Sequence, residues 1–243
     1  MIRSLTMNQF SLTRGIPKIC VPVSGTSLEE ALWEIREIKT NPVDIIEWRV
    51  DYFNEDMFSS LRKIKEEVGG IPLMVTLRSR MGGGGKEISP GEYSSCVRKF
   101  IRSGLADLVD IEMEVGAEEV KNLTALAKER GVISLVSKHF FKNTPQKEEL
   151  MALFAQMEEL GADLPKIAVM PQDFSDVLTL MDAAQETAKT NYPIIAISMG
   201  KLGRTSRFCG EEMGSAVTYA AGKIASAPGQ IKPKLLSEIL NAK

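Results

Sequence analysis

The chain has 243 residues, enough to bury a large core as one domain or two small ones. Thirty basic residues against 32 acidic ones leave a net charge of −2, and with no basic surplus nucleic acid is not expected as the main partner. No run approaches the roughly 18 consecutive apolar residues of a membrane-spanning helix, and the opening MIRSLTMNQFSLTRG lacks a secretory-signal pattern, so no membrane partner and a cytoplasmic setting are expected.

Residues 1–17 carry only short apolar stretches and read as a β-hairpin or an irregular plug. KICVPV (18–23) is the first β-rich run, followed by SLEEALWEIREIK (27–39), whose apolar residues recur at helical spacing. Strand candidates DIIEWRV (44–50), PLMVTLR (72–78) and LVDIEM (108–113) come next, then the helical EEVKNLTALAKERG (118–131). VISLVSKH (132–139), helical QKEELMALFAQMEELG (146–161), PKIAVM (165–170) and helical DVLTLMDAAQETAKT (176–190) continue the alternation. PIIAIS (193–198), SAVTYA (215–220) and a closing helix in KPKLLSEILNAK (232–243) end it.

Eight strand candidates alternating with helices predict an α/β fold with a parallel sheet, and the length matches a single (β/α)8 TIM barrel, typically about 250 residues. No linker or low-complexity tract interrupts residues 1–243, so a single barrel domain is expected, with the short N-terminal segment closing the barrel bottom. An open doubly wound sheet is the alternative. Its first strand-to-helix turn normally carries G-x-G-x-x-G, whereas here that turn reads VSGTS (23–27).

Alternate strand residues share a face, so polar groups sort by parity. Glu47, Arg49 and Asp51 fall together, as do Thr76, Arg78 and Arg80; Asp110, Glu112 and Glu114; Ser137 and His139; and Lys166, Ala168 and Met170. Five strands thus present ionisable groups on one face, most near the C-terminal strand ends where barrel active sites are built. Lys166 is the exception, near the start of its run. Taken singly each group has a plainer reading: a satisfied histidine, a snorkelling lysine, or internal pairs Glu47–Arg49 and Arg78–Asp110 that only fix geometry.

RSRMGGGGKE (78–87) is not a phosphate loop, because Glu87 rather than Ser or Thr follows Lys86, and Pro90 disfavours a helix at that point; a mobile loop over the site is expected instead. GKLGRTSRFCGEEMG (200–214) carries Arg207, whose planar fork suits a carboxylate, and ASAPGQIK (225–232) offers Ser226 and Gln230 around a Pro-Gly turn. Cys20, Cys96 and Cys209 form no metal-ligand spacing, and an odd count suggests no disulfide framework.

With these residues in place, the chain resembles the type I 3-dehydroquinate dehydratases, Schiff-base enzymes of the shikimate pathway. PKICVPV, EWRVD, TLRS, DIE, SKH, KIAVMP, ISMGKLGRTSR, GSAVTYA and SAPGQI occur in the family's order through nearly the whole chain. The resemblance implies a carbon–oxygen lyase converting 3-dehydroquinate to 3-dehydroshikimate, without metal or organic cofactor, in a homodimer. It places Lys166 as the imine-forming lysine and His139 as general acid/base. It gives Glu47, Arg49, Arg78, Met199, Arg207, Tyr219, Ser226 and Gln230 to the substrate, with Tyr219 standing where the family usually has phenylalanine. Two positions depart from the pattern: Gly82 stands for a glutamate that assists the histidine, and Phe140 for an aspartate after it. Glu87 is the candidate to compensate from the glycine loop. Another imine-forming aldolase or lyase, or a non-catalytic binder of quinate-like acids, are the alternatives.

Overall fold

Runs with apolar residues on both faces make poor edges and good interior strands, and this chain closes almost all of its edges. The computed structural model describes residues 5–7, 10–12, 15–189, 193–223 and 227–242. A hairpin of β1 (Leu5–Met7) and β2 (Phe10–Leu12) precedes eight parallel strands: β3 (Lys18–Val23), β4 (Ile45–Arg49), β5 (Leu73–Thr76), β6 (Leu108–Glu112), β7 (Ile133–Phe140), β8 (Leu164–Val169), β9 (Ile195–Ser198) and β10 (Val217–Tyr219). Neighbours run in chain order, with β10 paired to β3. Between β9 and β10 the barrel is joined by a single bridge, Ile194 with Ser215, and by Ala216 donating to the Ile194 carbonyl at 2.7 Å.

The helices are α1 (Leu28–Lys39), α2 (Met57–Val68), α3 (Pro90–Arg102), α4 (Ala117–Arg130), α5 (Lys147–Glu159), α6 (Phe174–Ala188), the short α7 (Thr205–Phe208) and α8 (Gly210–Met213), and α9 (Pro233–Leu240). Side chains written into the sequence start several of them. Ser27 accepts from the Glu30 amide, Asp56 from Phe58 and Ser59, and Asp173 from Ser175 and Asp176. Pro90 does not exclude a helix; it is the first residue of α3, where the missing N–H costs nothing, behind a reciprocal Ser89–Glu92 capping box.

Two apolar layers result. Trp48, Val75, Ile111, Val136 and Ile167 point outward into the strand–helix core. Cys20, Ile45, Met74, Leu108, Leu164 and Ile195, at or near the N-terminal ends of their strands, point inward and fill the bottom of the barrel. Leu12 of the hairpin joins this inner cluster fully buried, so the N-terminal segment closes the barrel bottom as expected. With the bottom packed shut, only the C-terminal mouth can hold a cleft. Among the described residues no helix is long and apolar enough to cross a membrane.

Candidate active site

Parity put ionisable residues on one face of the strands, and the register sets them at matched heights. Lys166 pairs with Ser137 on one side and Ile195 on the other; His139 lies level with Ala168, one pleat nearer the mouth. Above them is a cleft of about 610 Å³, counted to its open mouth, lined by Glu47, Arg49, Arg78, His139, Lys166, Met199, Arg207, Tyr219 and Gln230. Thus nine of the ten residues singled out in the sequence meet in one place; Ser226, the tenth, lies outside the described residues. Gly82, Gly83, Phe141, Ala168, Ala227 and Pro228 complete the lining. Ala168 was within reach of parity, two residues after Lys166, but the others depend on loop paths.

The floor carries a buried charge network. Arg78 donates to Asp110 at 2.5 Å, to Glu112 at 3.0 Å and to the Ser137 hydroxyl at 2.8 Å, while Ser137 donates to Asp110 at 2.6 Å. The expected pair Glu47–Arg49 is replaced: Arg49 forms a two-pronged pair with Asp51, both contacts at 2.8 Å, and Glu47 accepts from Thr76 at 2.7 Å. The planar guanidinium matches two carboxylate oxygens at once, and Asp51 presents both of its oxygens to it. Arg80 shares parity with Arg78 but leaves the barrel after β5 ends, and its side chain is 68% exposed.

Lys166 is buried and donates to the Tyr219 hydroxyl at 3.0 Å, with the Asp110 carboxylate at 3.9 Å. Burial pulls its pKa below the ordinary lysine value; Asp110 and Glu47 oppose that and Arg78 adds to it. The amine is therefore more available as a nucleophile than a surface lysine. His139 keeps part of its surface open to the cleft. Loss of solvation first, then the cations Arg78, Lys166, Arg49 and Lys138, hold its pKa well below the usual histidine value. Among the described residues it has no hydrogen bond or ion pair; its ring lies nearly parallel to Phe141, 5.8 Å between centroids.

Arg207 is 1% exposed and, among the described residues, donates only to neutral oxygens, the Tyr219 carbonyl at 3.1 Å and the Pro228 carbonyl at 3.2 Å. Its Nε is buried without a partner, and burial, helped by Arg204, pulls its pKa down to about 10. A buried cation lacking an anion is costly, and a ligand carboxylate would offset that cost.

The glycine run is a built wall rather than an unattached flap. Arg80 donates to Lys86 at 2.8 Å, Gly84 to Ser79 at 2.7 Å and Gly85 to Asp51 at 3.1 Å. A Cβ on Gly82 would lie 2.1 Å from Glu112 Oε1, and one on Gly83, whose φ is +84°, 2.1 Å from the Phe141 ring. Glu87 does not take the missing glutamate's place: its side chain is 87% exposed and lies 3.9 Å from Arg80, away from the cleft. Phe140 faces the helix layer, packed against the outer core. Restoring glutamate by Gly82→Glu should therefore harm rather than help. Overpacking against Glu112 is expected to cost about 1–3 kcal/mol, read as a lower melting temperature with no gain in turnover.

Residues 19–243 match the family described as type I 3-dehydroquinase. A 3-dehydroquinate dehydratase of Clostridioides difficile is 41% identical over 99% of this chain and 97% of its own length. One of Syntrophotalea carbinolica is 42% identical over 93% of this chain and 92% of its own. The crystal structure of a type I 3-dehydroquinate dehydratase from Clostridium difficile with covalently modified comenic acid superposes with a TM-score of 0.95, at 41% identity, covering 100% of this chain and 98% of that one. A parallel barrel of this order, a family-model match over residues 19–243 and near full-length similarity lead to one conclusion: the chain belongs to the type I 3-dehydroquinase family.

Proposed function

We propose that this protein is a 3-dehydroquinate dehydratase that forms a Schiff base through Lys166 and uses His139 as general acid/base. The observation that carries the reading is a buried lysine of depressed pKa sharing a cleft with the chain's one histidine and a buried arginine that has no acidic partner among the described residues. Family membership supplies the substrate class.

The neutral amine adds to the ketone, and the carbinolamine loses water to give an iminium. The iminium acidifies the neighbouring carbon, and His139 takes its proton as the electron pair enters an enamine. The enamine expels the tertiary hydroxyl, which leaves as water with the proton from the imidazolium. Water then hydrolyses the conjugated iminium, freeing Lys166 and the enone. Arg207 would hold the substrate carboxylate, while Glu47, Arg49, Arg78, Met199 and Gln230 set the shape and polarity of the remaining wall. A homodimer is part of the reading, checked by a light-scattering mass of twice the chain's.

The test is to add 3-dehydroquinate at neutral pH and follow the ultraviolet absorbance of the conjugated product. A rise supports dehydration. A protein that binds the compound without a rise would be a binder only. Arg207→Met should raise KM by about 30-fold or more, since losing one member of a buried charge pair costs roughly 2–5 kcal/mol. An unchanged KM would move the carboxylate elsewhere.

A further inference from the structure

Lys166 is not alone at the base of the cleft. The Tyr219 hydroxyl accepts from its Nζ at 3.0 Å, and the same Nζ stands 4.1 Å from the centre of the Tyr219 ring. The tyrosine is 5% exposed, ends β10 and lines the cleft. Its oxygen is thus occupied as an acceptor, while among the described residues its own proton has no acceptor and sits in the space where a substrate ketone must meet the amine. Burial holds the phenol pKa well above its ordinary value, with Cys20, Glu47 and Asp110 adding to the effect, so the group is a proton donor rather than a phenolate in the free protein.

We infer that Tyr219 is a further catalytic residue, carrying the proton on and off the oxygen of the carbinolamine formed on Lys166. The inference rests on the Schiff-base reading above. In the forward step the nitrogen lone pair forms the C=N bond, the C–O bond breaks, and the phenol proton goes to the leaving oxygen as water. This leaves an iminium against a phenolate, opposite charges that compensate each other in a buried site, with the ring face adding a cation–π contact. In the hydrolysis step water attacks the iminium carbon and the phenolate recovers its proton from that water, so atoms and charge balance. The resemblance puts phenylalanine at this position. Here the position supplies a hydroxyl against the Lys166 amine.

Tyr219→Phe keeps the ring and removes only the hydroxyl, so the packing around β10 is retained and melting temperature serves as the control. The readout is the rate at which borohydride-trappable adduct forms on Lys166 with 3-dehydroquinate, alongside kcat and KM. Wild type should trap readily, and the variant should form adduct and turn over about tenfold more slowly, or roughly 1.4 kcal/mol, with KM within twofold. Equal adduct formation and equal kcat in the two proteins would overturn the role of Tyr219 alone. No trapped adduct in wild type would overturn the Schiff-base reading, and this step with it.

Discussion

Lys166→Ala is expected to lose at least about 10⁴-fold in kcat, the scale seen when an enzyme's covalent nucleophile is removed. Nothing else in the cleft can replace it. The other side-chain nitrogens that line it belong to guanidiniums, which stay protonated, the Gln230 amide, which is not nucleophilic, and the His139 imidazole, which forms no stable imine. The fold should survive, because the substitution removes a buried amine whose desolvation is unfavourable, leaves Asp110 held by Arg78 and Ser137, and leaves the Tyr219 hydroxyl facing the cleft. The check is the product absorbance together with borohydride trapping and mass measurement of the adduct. Loss of both signals at a near wild-type melting temperature is the expected result. Residual turnover above a few per cent would mean that the reaction does not pass through this amine.

The second large effect falls on His139. His139→Asn should lower kcat by about 10²–10⁴-fold, the range of a positioned general acid/base. The effect differs in kind from that of Lys166→Ala, because imine formation does not need the imidazole in the reading above. Trapped adduct should therefore persist while product formation stops. The pH dependence follows from the direction of the shift. His139 acts as a base only when neutral, and burial with the nearby cations holds its pKa well below about 6.5. The limb set by His139, read in kcat once the imine has formed, should therefore lie below pH 6.5 rather than at it, whereas kcat/KM also carries the ionisation of the free Lys166. Lys166 must also be neutral to attack, and its depressed pKa should bring the rising limb for imine formation below about 10.4, the ordinary lysine value. A kcat limb at or above pH 6.5 would mean that a carboxylate from outside the described contacts pairs with His139.

Most of the barrel was legible because its signal is local. β3 coincides with the predicted run 18–23, and the other strands fall within about two residues of theirs. α2 and α3 were harder to see. Their apolar residues are fewer and the flanking glycines and Pro90 look like breakers, although Pro90 works as a helix start once Ser89 and Glu92 cap it. Parity located Glu47, Arg78, Asp110, His139 and Lys166 on the inner face because the two-residue period of a strand is rigid. It misplaced Arg80, since the period lapses where β5 ends at Thr76. It was also silent on depth, so that Lys166 looked peripheral.

By itself the sequence determined the alternation of strands and helices, the face on which each charge lies, the absence of a phosphate loop and the presence of a family's motifs in order. These are consequences of short-range backbone geometry and side-chain type. Only the tertiary structure decided which charges pair, because Arg49 takes Asp51 rather than Glu47 by the reach of its fork. Only it sealed the barrel bottom with Leu12, left Glu87 outside, filled the space beside Gly82 with Glu112 and set the Tyr219 hydroxyl against Lys166 across 53 residues of chain. Contacts of that kind depend on how the sheet curls to bring its first and last strands together, and that closure is a property of all eight strands at once.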